Sequence, residues 1–237
     1  MRLSSRLVQV FAVAALPLAL AACSTGTDAT ATTTKAKAKD PNAGLLTGTQ
    51  LKKALAPASV VPSYLAPVAG GSPDSGSQFM DPSARSTGKP KCSDFESNAW
   101  LSVSGFKGGV SFAQGDYVNK AQTEEIAEEI DAFQGTTAKS VMKYVREAAA
   151  ACPTFTDTDA HAEVKLVGHA APGLGDEAYT IRLTSPRFEN GSTLVAARVG
   201  NSVVTVLSSA GNDDGAATAG TVVTHIVDAL KAKAAKS

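Results

Sequence analysis

Glu124, Glu125, Glu128 and Glu129 crowd into one short stretch. Carboxyl groups do acid–base chemistry when one is held protonated beside an ionised partner, as in glycoside hydrolysis. Adjacent glutamate pairs with Lys120 and Lys139 nearby are instead the pattern of a solvated charged face, and that is the reading adopted. A second candidate is Gly173-Leu174-Gly175-Asp176-Glu177, whose glycines and acids suit an anion or metal loop. It lacks the strand-turn-helix setting and the phosphate-binding lysine of a nucleotide loop. It therefore reads as a turn feeding a strand, with glycines where φ is positive. None of the serines sits in Gly-x-Ser-x-Gly, and His161, His169 and His225 have no ligand spacing to one another or to cysteine. Nothing in the chain argues for an enzyme, a metal or a cofactor.

The cysteines carry more information. Arg2 and Arg6 open the chain, an apolar run extends from Leu7 to Ala22, and Leu20-Ala21-Ala22-Cys23 follows. This is the layout of a signal peptide. The run is about 16 residues, short of the roughly 20 that a bilayer span requires. Leu-Ala-Ala-Cys resembles the lipobox of bacterial lipoproteins, which implies diacylglycerol on the Cys23 thiol and cleavage that leaves Cys23 as the new N-terminus. The alternative is an ordinary secretory signal with a chance cysteine at the cut. Acyl chains at about 0.8 kcal/mol per buried CH₂ hold a protein firmly to a membrane. Neither arginine has a second beside it, which favours the general export route. The expected address is the outer face of the cell membrane. The expected layout is a leader at 1–22, a flexible tether at 23–43 and a single domain at 44–237.

With Cys23 committed to lipid, Cys92 and Cys152 remain as a pair in a compartment where disulfides persist. A bridge would close a loop of about 60 residues, worth roughly 4 kcal/mol in the chain-entropy model. The alternative is two free buried thiols.

Composition narrows the partners. The chain has 22 basic and 22 acidic side chains, and loss of Arg2 and Arg6 with the leader tips the balance slightly acidic. There is no basic excess to neutralise phosphates, so nucleic acid is not an expected partner. Aromatic residues are 5% of the chain, so the core must come from Val, Leu, Ile and Ala. Residues 24–43 hold Ser, Thr, Ala, Gly, Asp and Lys and cannot bury enough surface to order themselves. Lys35, Lys37 and Lys39 belong to that solvated spacer.

Several elements must position these residues. Thr47 and Gln50 form a capping-box pattern ahead of Leu51 and Leu55, predicting a short helix that ends near Pro57. Pro57 to Pro90 holds six of the 11 prolines and predicts a long irregular excursion, part of it mobile. Asn98–Gly105, with Trp100, Leu101 and Val103, predicts a strand that pairs with Val110–Val118 through Lys107-Gly108-Gly109. Ala121–Phe133 is ambiguous. Ile126, Ile130 and Phe133 fit a helix, whereas Ile126, Glu128, Ile130 and Ala132 share one side of a strand. Thr136–Ala151 reads as a helix with Val141, Tyr144, Val145 and Ala148 on one face. Four strand-like runs follow: His161–Val167, Glu177–Ser185, Thr193–Val199 and Ser202–Ser208. Gly200-Asn201 marks a tight hairpin between the last two. A helix from about Ala216 to Ala235 closes the chain, with Val222, Ile226, Val227 and Leu230 as its stripe. These elements predict an α+β domain, an antiparallel sheet with helices packed on one face.

In this order the pieces resemble the extracellular sensor domain of mycobacterial Ser/Thr kinases of the PknH type, and the actinobacterial lipoproteins that carry the same module. The opening Leu45-Leu46-Thr47 helix, Lys91-Cys92, Val145-Arg146-Glu147-Ala148 through Cys152 with Phe155, Gly175-Asp176-Glu177-Ala178, and Arg198-Val199-Gly200-Asn201 carry the resemblance. It covers about residues 44 to 235. It implies an antiparallel sheet with helices beside it and a cleft, a strand over Ile126–Phe133, and a role in binding an extracytoplasmic signal. Members often have two disulfides, and this chain can make one. No kinase domain is attached, so a signal would pass to a separate membrane signalling partner. No ligand-binding residue is carried over. The expected function is a lipid-anchored binding or sensor module for a small molecule, lipid or cell-wall fragment, with Trp100 and Phe106 as core or cleft lining. The alternative is a structural or protein-interaction lipoprotein without a small ligand, and an envelope hydrolase stands third.

Overall fold

Val199 and Ser202 pair across Gly200-Asn201, with Gly200 at φ +59° as a tight hairpin turn requires. That hairpin lies within one sheet that carries the domain. The computed structural model describes residues 40–82, 91, 92, 95, 108–158 and 160–235. The elements in chain order are α1 (Gly48–Lys52), β1 (Leu65–Pro67), β2 (Gly109–Asn119), β3 (Glu125–Phe133), α2 (Thr137–Ala151), β4 (Thr154–Asp157), β5 (Ala162–Ala170), β6 (Glu177–Thr184), β7 (Ser192–Val199), β8 (Ser202–Ser208) and α3 (Ala216–Ala234). The eight strands form a single sheet in the order β1-β2-β3-β8-β7-β6-β5-β4, and every pairing is antiparallel. The described residues from Pro41 onward form one compact unit.

The expected packing of helices on one face is wrong. Val195 and Ala197 of β7, with Val204 and Val206 of β8, pack against Val222, Val223, Ile226 and Val227 of α3. Leu194 and Ala196, with Val203, pack with Val141, Met142, Val145 and Ala148 of α2. Successive side chains of a strand point to opposite faces, so α3 covers one face and α2 the other. The cause is written in β7, β8 and β3, whose buried residues run consecutively instead of alternating. A strand apolar on both sides needs two covers. Alternation is sharpest in β5, with Ala162, Val164 and Leu166 buried between exposed neighbours.

The resemblance-based expectation of a strand over Ile126–Phe133 holds: β3 sits between β2 and β8. Val110–Val118 lies within β2, but its expected partner Asn98–Gly105, with Trp100 and Phe106, lies outside the described residues. Part of the proline-rich excursion is ordered along the outer edge of β2. Val68, Ser75 and Met80 donate backbone bonds to the carbonyls of Asp116, Phe112 and Val110, at 2.9, 3.0 and 2.7 Å. These contacts satisfy an edge that would otherwise offer unpaired backbone groups. The capping box forms as expected, with the Thr47 amide donating to Gln50 Oε1 at 2.8 Å. Cys92 and Cys152 are joined by a disulfide at the end of α2, with their Cα atoms 5.5 Å apart. Among the described residues, no helix is long and apolar enough to cross a membrane.

Candidate functional site

Strand β3 holds acids at consecutive and alternate positions, and the pleat sorts them by face. Ile126, Glu128, Ile130 and Ala132 point to the α3 side, where Ile126, Ile130 and Ala132 join the core. Glu125, Ala127, Glu129 and Asp131 point to the α2 side. Cross-strand pairs share a face, so Gln114 and Asp116 of β2 lie beside Glu129 and Ala127, and Thr205 of β8 faces Glu129. Reading these acids as a solvated face is therefore incorrect for Glu128 and Glu129, which are 2% and 5% exposed. The error has a simple source. Charge ordinarily marks an exposed face, but β3 is a central strand between β2 and β8.

Burial without a cation has consequences for protonation. Among the described residues, no ion pair reaches these carboxyls. On the α2 side, Glu129 and Asp131 lie two residues apart on one face of β3, with Gln114 across from Glu129. Burial, and then the Glu129 carboxyl beside it, push Asp131 well above the usual carboxylate range. Burial raises Glu129 and Glu125. Asp116 is pushed up to about 6 by burial and by Glu125. Asp131 Oδ2 and Thr205 Oγ1 are shut from solvent without a hydrogen-bond partner.

On the α3 side Glu128 stands alone. Its Oε2 accepts the Ala56 amide at 3.0 Å, while its Oε1 is buried with no partner. Burial pushes Glu128 up to about 8; the Ala56 bond opposes this and the Asp116 charge adds to it. The Tyr117 hydroxyl donates to the Ala56 carbonyl at 2.9 Å, so residue Ala56 is held through both its amide and its carbonyl. Gly115 lies opposite Glu128 and leaves the room its carboxyl fills.

The Gly-Asp loop is structural, as its sequence implied. Gly175 has φ +66°, and a Cβ there would meet the Arg198 carbonyl at 2.5 Å. Arg198, with its side chain 13% exposed, bonds Glu177 Oε1 from Nε at 2.7 Å and Asp176 Oδ2 from Nη1 at 2.8 Å. Asp176 Oδ2 also accepts the Gly200 amide, at 2.8 Å. Arg146 of α2 reaches Glu177 Oε2 at 2.8 Å. Burial works to raise Glu177, but Arg198 and then Arg146 outweigh it and hold its carboxyl below the usual range. Three segments that carried the family resemblance thus meet in one charge network.

Among the described residues, no group of His, Cys, Asp and Glu is arranged to hold a metal ion. His161 sits at the turn before β5 with φ +49°, His169 lies on β5 and His225 on α3, so the fold keeps them apart. Cys23 lies outside the described residues.

Comparison with protein-family models finds no match, and comparison with curated protein sequences finds none either. A solved structure does match: the extracellular domain of PknH from Mycobacterium tuberculosis, with a TM-score of 0.59 and 15% identity. The match covers 79% of this chain and 97% of that one. At this identity the likeness is one of fold.

Proposed function

We propose that this chain is an extracytoplasmic, sensor-like binding module, held on the outer face of the cell membrane by lipid on Cys23. Its ligand would be a small molecule, lipid or cell-wall fragment, and its output would pass to a membrane signalling partner. The observation that supports this most is the fold likeness to the PknH extracellular domain, which spans nearly the whole of that domain. The Cys92–Cys152 disulfide agrees with it, because such bridges persist in oxidising compartments outside the cytoplasm.

The reading is of a binding module and not of an enzyme. Glu129 is 5% exposed and Asp131 Oδ2 is shut from solvent, whereas glycosidase carboxyls flank a site that admits the scissile bond.

The test is thermal melting of the full chain against lipids, wall fragments and envelope extracts. A ligand at a hundred times its dissociation constant adds about 2.7 kcal/mol and shifts the melting point by several degrees. A reproducible shift with one fraction is the expected result. A cooperative melt that no fraction moves would transfer the reading to a structural or protein-interaction lipoprotein. Replacing Cys23 with serine should move the protein from the detergent phase to the aqueous phase. Retention in the detergent phase would overturn the lipid anchor.

A further inference from the structure

Ala54 to Pro62 crosses the α3 side of the sheet between α1 and β1, and it belongs to neither element. Its apolar residues Ala54, Ala56 and Val61 are in the core with Ile126 and Ile130. Among the described contacts, its hydrogen bonds to the sheet both fall on Ala56: the amide to Glu128 and the carbonyl from Tyr117. We propose that this stretch is a strap and that Glu128 is its proton-operated latch. With Glu128 protonated the strap lies closed on the sheet; ionised, Glu128 draws water in and the strap lifts.

The geometry gives the reason. Ionisation would leave a full charge on a carboxyl whose Oε1 has no donor, at a site that is 2% exposed. No described neighbour offers a compensating cation. Beside it on β3 are Ile126 and Ile130, across on β2 is Gly115, and across on β8 is Val206. The α3 helix presents Val223, Ile226, Val227 and Leu230 to this core, while its His225, Asp228 and Lys231 are not part of the cluster. On the strap's side, Lys52 is engaged with Asp74. Tyr117 is the titratable neighbour on this face, raised by burial and by Glu128 itself, and Asp116 acts from the opposite face. The sheet on either side is held by its ladders. The strap is held by the packing of Ala54, Ala56 and Val61 and by two side-chain hydrogen bonds, with no backbone ladder of its own to the sheet, so it is the part that yields when the charge must be hydrated. The uncovered surface would be the apolar patch of Ile126 and Ile130 beside Tyr117, exposed in response to pH. This inference rests on the latch alone and stands whether or not a ligand is found.

The test is amide exchange of the full chain by NMR, with rates corrected for the intrinsic effect of pH. If opening requires loss of one proton, protection of the Ala56 amide falls about tenfold per pH unit. That fall should begin above the ordinary carboxylate range and level off near 8, while Val204 in β8 keeps its protection. Glu128→Gln retains an acceptor for the Ala56 amide without a titrating charge and should abolish the slope. Tyr117→Phe should lower Ala56 protection at every pH and leave the slope. Constant Ala56 protection in the unaltered chain would overturn the latch. So would a parallel loss at Val204, or an unchanged slope in Glu128→Gln.

Discussion

Gly115 and Glu128 are matched across the β2–β3 pair: a Cβ at position 115 would come within 2.6 Å of Glu128 Oε1. The glycine is required by the space its neighbour fills. Gly115→Ala should destabilise the domain by about 1–3 kcal/mol, the usual cost of overpacking a filled interior. Urea denaturation reads this directly. In a Glu128→Ala background the same change should cost much less. Equal costs in both backgrounds would mean that the carboxyl is not what the glycine accommodates.

Stability should decline as pH rises from mildly acidic to mildly alkaline. Glu128, Glu129, Asp131 and Asp116 all have folded pKa values raised above their unfolded ones. Each favours the folded state fully below its unfolded pKa and loses that contribution as pH climbs toward its folded one. The windows close at about 6 for Asp116 and about 8 for Glu128. Glu177 has the opposite sign, its contribution vanishing as pH falls through its lowered value. Denaturation midpoints across pH 5 to 9 should therefore fall in the unaltered chain, and Asp131→Asn should flatten part of the slope. Midpoints that rise steadily over that range would contradict the buried, protonated state of these groups.

Arg198 and Arg146 share Glu177 but are not equivalent. The Arg198 side chain is 13% exposed and holds two carboxylates, whereas that of Arg146 is 43% exposed and holds one. Arg198→Ala should cost about 1.5–3 kcal/mol, the range for hydrogen bonds to charged groups. Arg146→Ala should cost less than about 1 kcal/mol, as exposed pairs do. Arg198→Lys should recover little, because an ammonium cannot reproduce the two-pronged contact. Equal effects for the two alanine variants would remove Arg198 from the centre of the network.

Cys92 and Cys152 are separated by 60 residues, and the chain-entropy model assigns a loop of that size about 4 kcal/mol. Melting with and without reductant should show a loss of that order. The doubly substituted Cys92→Ser, Cys152→Ser chain should melt where the reduced chain does. No shift on reduction would mean that the bridge contributes nothing to stability.

Much of the fold was legible because its strongest signals are local. Gly200-Asn201 between β-branched runs, the Val141–Ala148 stripe of α2 and the capping box at Thr47 each depend on residues close in sequence. Short strands were not legible: β1 has 3 residues and includes Pro67, and β4 has 4. Strand β3 was ambiguous because Ile126 and Ile130 satisfy either period, with Phe133 completing a helical stripe and Ala132 a strand face, and its neighbours β2 and β8 decided the outcome. The placement of helices on opposite faces was present in the unbroken apolar run Leu194–Ala197, which no one-sided sheet would carry. The carboxyl site was hidden for a different reason. Acids read as surface until it is known that their strand is central. A useful signal was the alternation of Glu128 with Ile126 and Ile130, which puts an acid in line with core residues.

The neighbour of β3 on its inner side is β8, with Ile126 paired to Ser208 and Ala132 to Ser202. The middle of the sheet is thus the last place where a chain emerging N-terminus first can close. Everything from β1 to β3 must wait, unpartnered on one edge, until the final hairpin arrives. Contacts so distant in sequence make folding slow. A polypeptide with this strand order cannot join the two halves of its sheet until its C-terminal strands are free, so a chain cut short before β8 would be left with two separate edges where the centre should be.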